Sequence, residues 1–137
     1  MTSGYSGTPL AQKLGIKDHA VIAALDAPAE FRDWLAPLPE GARLRASLGR
    51  SPDVVVAFVT KRAVLKRRID AAAPVIFPDA ALWLAWPKRA SGVPTDITED
   101  TVRELALPLG LVDTKVCAIS DVWSGLRVVW RRERRGS

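Results

Sequence analysis

The polar side chains between residues 86 and 96 are the ones whose types and spacing could bind a ligand. This segment, WPKRASGVPTD, follows an apolar run and precedes a helical pattern. Open α/β sheets bind ligands outside the carboxyl ends of their strands, and a helix N-terminus attracts anions. Cations and hydroxyls here suit a small anion. The candidate residues are Lys88, Arg89, Ser91, Gly92, Thr95 and Asp96. The alternative is a rigid connector in which Asp96 and Thr98 only cap the next helix.

A second candidate contact lies in the segment DVWSG, residues 121–125, where Trp123 and Ser124 would face a ligand or a protein partner. Tryptophan combines a large apolar ring with a polar N–H, so it serves stacking and interface contacts well. The alternative is that Trp123 covers a sheet edge. The other four tryptophans, Trp34, Trp83, Trp86 and Trp130, lie in element patterns that bury them.

Several kinds of catalytic chemistry find no support in the residues. Cys117 lies inside the apolar run VCAI, where burial favours a structural thiol over a nucleophile. His19 has no partner that the sequence identifies. With one cysteine and one histidine, a Cys/His zinc site is excluded. Neither G-x-S-x-G nor G-x-x-x-x-G-K occurs. We therefore assign no catalytic, cofactor-binding or metal-binding residue, and we expect no cofactor.

Composition indicates a small globular domain in a reducing compartment. The 137 residues are 48% hydrophobic and 26% charged, with net charge +5. No apolar run approaches the ~18 residues of a membrane helix. The N-terminus lacks the apolar core of a signal peptide, so we expect a cytoplasmic protein and no membrane contact. The positive charge favours an anionic partner. Specific nucleic-acid binding is not expected, because the basic runs 61–68 and 127–135 lack interleaved aromatic residues.

Hydrophobic periodicity predicts strands that alternate with helices. The predicted strands are residues 19–25, 42–48, 53–60, 80–86, 111–119 and 126–132, the last two joined around Ser124 and Gly125. The predicted helices are residues 9–14, 29–35, 61–73 and 96–107, the last capped by Asp96 with Glu99 three residues on. This order predicts an α/β fold: one three-layer Rossmann-like sheet, mostly parallel, with a C-terminal antiparallel hairpin. We expect an N-terminal segment and short helix at 1–17, a single domain at 18–132 and a basic tail at 133–137.

The segments DVVVAFVT and PDAALWLAWPK, then LPLGLVDTKV and a hairpin, resemble the later half of S-adenosylmethionine-dependent methyltransferases in element order. This resemblance covers residues 53–132 and implies a truncated or degenerate class I methyltransferase fold. The phrases SGTPLAQKLGI, WPKRASGVPTDITEDTVRELALPLGLVDTKVCAI and DVWSGLRVVWRRE resemble the bacterial family called domain of unknown function 3052. That second resemblance spans nearly the whole chain and implies the same domain, without a particular activity.

The turn after the first predicted strand argues against methyl transfer. A cofactor that approaches the backbone there needs a glycine-rich turn, and this chain has Asp26-Ala27-Pro28-Ala29 instead. An acid that could hold a ribose is also missing after the second strand, at residues 48–51. We therefore predict a non-enzymatic binding or interaction domain that takes a small anionic ligand or a protein partner. The alternatives are a methyltransferase with an unorthodox cofactor turn and a weakly nucleic-acid-associated protein. The sequence leaves the ligand and the oligomeric state open.

Overall fold

A computed structural model describes residues 8–136 and shows one six-stranded sheet. The strands are β1 (Val21–Leu25), β2 (Arg43–Arg45), β3 (Val54–Phe58), β4 (Ala81–Pro87), β5 (Leu111–Ala118) and β6 (Trp123–Trp130). Their order across the sheet is β2-β1-β3-β4-β6-β5. Strands β1 to β4 are parallel, whereas β6 runs antiparallel to both β4 and β5. The predicted α/β class, with a mostly parallel sheet and a C-terminal antiparallel hairpin, is confirmed.

Helices cover both faces of the sheet and give the fold three layers. The helices are α1 (Leu10–Lys13), α2 (Phe31–Leu35), α3 (Arg62–Ile76), α4 (Glu99–Ala106) and α5 (Arg132–Arg135), with 3-10 turns at Arg89–Ser91 and Leu107–Leu109. Buried side chains of α3 and α4 share one core cluster with one face of the sheet. Those of α1 and α2 share a second cluster with the other face. No helix within residues 8–136 is long and apolar enough to span a bilayer.

The central strands are buried on both faces, as their continuous apolar sequence predicts. All five residues of β3 are buried, and alternate members belong to opposite core clusters. In β4, Trp83 is completely buried, and its indole Nε1 donates a hydrogen bond to the carbonyl of Leu14 at 3.1 Å. This bond satisfies the one polar group of the ring and ties the segment after α1 to the sheet.

Element boundaries depart from the predictions at several places. The predicted strand 42–48 pairs only over Arg43–Arg45, because the chain then turns around the Arg45 side chain. Helix α3 continues to Ile76 with Pro74 inside it. The predicted turn at Ser124-Gly125 is wrong, because both residues lie within β6. A Cβ on Gly125 would come within 2.9 Å of Ile119, so the glycine allows close packing inside the strand instead of a turn.

Candidate functional site

The carboxyl ends of the parallel strands meet at one edge of the sheet, where ligands of open α/β folds bind. Asp26 follows β1, Thr60 lies two residues after β3, and Lys88 follows β4. The strand order reverses between β1 and β3, because β1 is followed by β2 on one side and β3 is followed by β4 on the other. This edge carries two separate candidate regions: the loop of residues 88–96 predicted from the sequence, and a cleft beside β1 and β2.

In the 88–96 loop, two of the predicted binding hydroxyls hold the loop in shape. The hydroxyl of Ser91 donates to the carbonyl of Lys88 at 2.7 Å and accepts from the amide of Val93 at 3.1 Å. The hydroxyl of Thr95 donates to the carbonyl of Thr60 at 2.7 Å and accepts from the amide of Ile97 at 3.1 Å. Both hydroxyls satisfy backbone groups that would otherwise lack a partner, so they are structural in this conformation.

Asp96 caps a different helix from the one predicted. Its carboxylate Oδ1 accepts from the amide of Arg62, the first residue of α3, at 2.6 Å. Helix α4 is capped by Thr98, whose side chain accepts from the amide of Thr101, while the hydroxyl of Thr101 accepts from the amide of Thr98. The predicted capping box of Asp96 with Glu99 is therefore wrong. Gly92, with φ +79°, ends the 3-10 turn that follows β4.

The two cations of the loop, unlike its hydroxyls, do not use their side chains to bond the backbone. Lys88 is half-buried and Arg89 is exposed. Neither side chain has a hydrogen bond or an ion pair with any residue in the range 8–136. The backbone amide of Lys88 donates to the carbonyl of Val122 at 2.7 Å, which joins this loop to the turn before β6. Of the predicted loop residues, Lys88 and Arg89 therefore have side-chain polar groups available for a ligand.

Trp123 packs against the sheet edge, and Ser124 is a strand residue. The ring of Trp123 meets that of Phe58 edge-on with centroids 5.0 Å apart, and Phe58 meets Phe31 in the same way at 5.0 Å. Trp123 stays half-buried. Ser124 pairs with Trp86 of β4 and with Ala118 of β5. The aromatic contacts favour a packing role for Trp123, the alternative that the sequence left open.

A cleft of about 380 Å³ opens at the carboxyl ends of β1 and β2. Ligand pockets in proteins span roughly 300–1,000 Å³, so the cleft has the size of a small-molecule site. It combines an apolar lining with three charged side chains, one from α2, one from β2 and one from the turn after β1. The lining residues are Ala24, Asp26, Ala27, Arg32, Leu44, Arg45 and Ala46. The sequence predictions missed this cleft.

Asp26 makes the turn after β1 in a backbone conformation that favours glycine. Its φ is +56°, in the left-handed region that aspartate adopts more readily than most residues. The carboxylate forms an ion pair of 2.5 Å with Arg68 of α3. Strained backbone of this kind clusters at functional sites. The turn after β1 therefore has a left-handed conformation without a glycine, and the side chain of the aspartate that makes it is paired with α3.

Arg45 organises the loop that follows β2. Its Nε donates to the carbonyl of Ser47 at 3.1 Å, and its Nη2 donates to the carbonyls of Leu48 and Arg50 at 2.5 and 2.9 Å. Gly49 has φ +55°, and a Cβ there would lie 2.7 Å from this Nη2. The glycine therefore lets the backbone close around the guanidinium, which is fixed in place by carbonyls and carries no carboxylate partner among residues 8–136.

Within residues 8–136, Cys117, the acidic side chains and the cations of α3 do not form a second candidate site. Burial raises the pKa of the Cys117 thiol, and Lys13 and Lys115 oppose that shift. A raised pKa leaves less thiolate at neutral pH, as expected for a structural cysteine. Residues 8–136 hold no group of three or more His, Cys, Asp or Glu side chains that could bind a metal. Two cations of the basic α3 already have partners, since Lys66 pairs with Asp70 and Arg68 with Asp26.

Neither a protein-family model nor a curated protein sequence matches this chain, so the resemblance to the domain of unknown function 3052 family stays a prediction. Solved structures do match. A methyltransferase dependent on S-adenosylmethionine from Aquifex aeolicus superposes with a TM-score of 0.61 and 11% identity, over 87% of this chain and 86% of that one. A candidate type 11 methyltransferase from Sulfolobus solfataricus gives a TM-score of 0.61 and 7% identity, over 89% of each chain.

A third similar structure is the magnesium protoporphyrin IX methyltransferase of Synechocystis PCC 6803 with bound S-adenosylmethionine. It gives a TM-score of 0.55 and 13% identity, over 89% of this chain and 74% of that one. Sequence identities this low establish a shared fold and not a shared function, because one fold hosts many unrelated functions. The chain therefore has the Rossmann-like α/β fold of S-adenosylmethionine-dependent methyltransferases.

Proposed function

We propose that this chain is a binding domain that holds a small ligand in the cleft at the carboxyl ends of β1 and β2. The position of the cleft carries the proposal, because it opens at the carboxyl ends of parallel strands, where open α/β sheets bind ligands. It includes Asp26, which follows β1 next to the β1/β3 crevice where the strand order reverses. Its lining combines apolar side chains with a few charged ones, as small-molecule sites do. This proposal moves the ligand away from the 88–96 loop, where the sequence placed it.

The charged groups of the rim are arranged for binding more than for catalysis. A general base must reach the proton that it removes. The carboxylate of Asp26 instead contacts the guanidinium of Arg68. Arg45 is held by three backbone carbonyls, which orient its charge without giving it a proton to transfer. Both side chains are thus placed to position a ligand, and we infer that the domain binds without converting it.

The location of the site is tested by amide chemical-shift mapping on isotope-labelled protein. The probes are adenosine and adenosine 5′-monophosphate, each raised to a few millimolar. We expect at least one to give saturable shifts that centre on Ala24, Ala27, Leu44 and Ala46. Shifts confined to residues 88–96, or no saturable shift in the cleft with any probe, would contradict the proposal.

Methyl transfer from S-adenosylmethionine is the second candidate function. Two observations favour it: the fold of the similar structures, and the left-handed turn that Asp26 makes after β1. The charges of the cleft do not fit this cofactor well. S-adenosylmethionine is a net cation, through its sulfonium and ammonium groups, whereas the cleft presents Arg32 and Arg45. The strand β2 ends in Arg45, with no acid that could hold the ribose hydroxyls.

Titration calorimetry separates these two functions. We expect no saturable heat with S-adenosylmethionine or S-adenosylhomocysteine at about a millimolar. Asp26→Ala removes the carboxylate and disfavours the left-handed turn, while Asp26→Asn keeps the turn and removes the charge. Low-micromolar binding of either compound that Asp26→Ala abolishes would favour the methyltransferase function over the first proposal.

Some expectations from the sequence also remain proposals. We propose a cytoplasmic location, and we propose that any nucleic-acid binding is weak and sensitive to salt, because a few phosphate contacts lose much of their affinity between ~50 and ~200 mM salt. Lys88 and Arg89 remain a proposed contact for an acidic protein partner, separate from the ligand of the cleft, since their charges are available at the same edge of the sheet.

A further inference from the structure

We propose that the ligand of the cleft is a small organic phosphate whose phosphate group lies between Arg32 and Arg45. This inference rests on the proposed function and names its ligand class. The two arginines come from different elements, α2 and β2, yet they line the same cleft. Guanidinium groups are suited to phosphate because their donors match pairs of phosphate oxygens.

Arg32 is the free cation of the pair. It lies on the exposed side of α2, next to the buried Phe31 that anchors this short helix in the core. Within residues 8–136 its guanidinium makes no hydrogen bond and no ion pair, so its five donors are available to a ligand. Binding here requires only that one flexible side chain becomes ordered.

Arg45 is the fixed cation of the pair. Its Nε and Nη2 donate to three carbonyls of the loop after β2, and its Nη1 has no partner among the described residues. Carbonyl oxygens orient a guanidinium but leave its full charge in place. A charge that is held before the ligand arrives contributes more affinity than one that must first be ordered.

The acid in the cleft does not cancel these charges. Asp26 is paired with Arg68, so this pair adds no net charge. The lining then contains two arginines and no unpaired carboxylate. An anion is therefore favoured and a cation is opposed. A phosphate has enough oxygens to contact two separate guanidinium groups at once, which one carboxylate does less well.

The apolar part of the lining favours an organic phosphate over inorganic phosphate. Ala24, Ala27 and Leu44 line the same cleft as the two arginines. A cleft of about 380 Å³ is larger than one phosphate needs, and the contact of an apolar body with these side chains removes their surface from water. We therefore expect inorganic phosphate to bind more weakly than a phosphate ester of a nucleoside-sized molecule.

Calorimetry with a matched pair of probes tests this inference. Adenosine 5′-monophosphate and adenosine differ only in the phosphate, so the difference in their affinities measures the anionic contribution. At low salt we expect the monophosphate to bind at least about tenfold more tightly, the usual gain from charge-assisted hydrogen bonds. Inorganic phosphate should compete with it at higher concentration.

A pair of arginine variants locates the contribution. Arg32→Ala should remove most of the preference for the monophosphate, about a tenfold loss. Arg67→Ala is the control, because Arg67 is also an exposed helical arginine and does not line the cleft. It should change the affinity less than twofold. Thermal melts of both variants establish that neither loses its fold.

The outcomes distinguish this inference from the function on which it rests. Equal affinity for adenosine and its monophosphate, with amide shifts in the cleft, would overturn the phosphate and leave the binding domain. An affinity for the monophosphate that Arg32→Ala leaves unchanged would do the same. The absence of saturable cleft shifts with every probe would overturn the proposed function itself.

Discussion

The 88–96 loop and the cleft lie at the same edge of the sheet, and each contains cationic side chains and one aspartate. They differ in what those side chains contact. In the loop, the side chains of Ser91, Thr95 and Asp96 are bonded to backbone groups of the loop itself, of Thr60 and of α3, respectively. In the cleft, Arg32 has no partner among residues 8–136, and Arg45 keeps its charge. A polar loop is therefore a ligand site only to the extent that its own backbone does not use its polar groups.

The largest effect is expected from a change in the central strand β3. The 88–96 loop and the cleft both depend on the central strands, so both would be lost. Val55 in β3 is completely buried, so Val55→Asp places an unpaired charge in the core. We expect a loss of more than about 4 kcal/mol in the free energy of unfolding, a large share of the roughly 5–15 kcal/mol that stabilises a domain. Circular dichroism during thermal melting measures it. A melting temperature within a degree or two of the parent would show that β3 is not in the core.

A smaller effect separates the loop from the cleft. Thr95→Val keeps the shape of the side chain and leaves the carbonyl of Thr60 and the amide of Ile97 without their shared partner. We expect a loss of about 1–2 kcal/mol in the free energy of unfolding, measured by urea denaturation, with ligand affinity in the cleft unchanged. If Thr95→Val leaves stability intact but weakens ligand binding, the hydroxyl serves a ligand and the comparison is reversed.

The turn after β1 is tested by two replacements of Asp26. Asp26→Asn removes the exposed ion pair with Arg68, which contributes about 0–1 kcal/mol. Asp26→Ala also places alanine at φ +56°, which costs about 1 kcal/mol more. Urea denaturation should therefore give a lower free energy of unfolding for Asp26→Ala than for Asp26→Asn. Equal stabilities would mean that the turn stores no backbone strain.

The smallest effect on stability is expected at the two available cations of the loop. Lys88→Ala combined with Arg89→Ala should lower the free energy of unfolding by less than ~0.5 kcal/mol, as for ordinary surface changes. The double variant should reduce binding of any partner that uses this loop and leave the affinity of the cleft unchanged. A loss of cleft affinity as large as that of Arg32→Ala would assign the ligand to the loop.

More of the fold than of the candidate site could be predicted from the sequence. Strand β3 and the antiparallel pair are set by local apolar patterns, and these were identified to within a few residues. The site depends on contacts between distant residues. Asp96 and Arg62 are 34 positions apart, and Asp26 and Arg68 are 42 apart, so no local pattern indicates either contact.

Arg45 shows the same limit within a short stretch. Its alternating neighbours predicted a strand over 42–48, but the chain pairs for three residues and then folds around the guanidinium. The polar residues after β1 and β2 were a usable signal, because the carboxyl ends of parallel strands meet. The absence of glycines in these turns does not show the cleft, because the cleft is formed by residues that are distant in sequence.

The central claim is that the cleft, and not the 88–96 loop, holds the ligand. A crystal structure of the protein grown with adenosine 5′-monophosphate tests it most directly. We predict density for the phosphate between the guanidinium groups of Arg32 and Arg45, with the nucleoside against Leu44. Density for the phosphate at Lys88 and Arg89, with the cleft empty, would contradict the account.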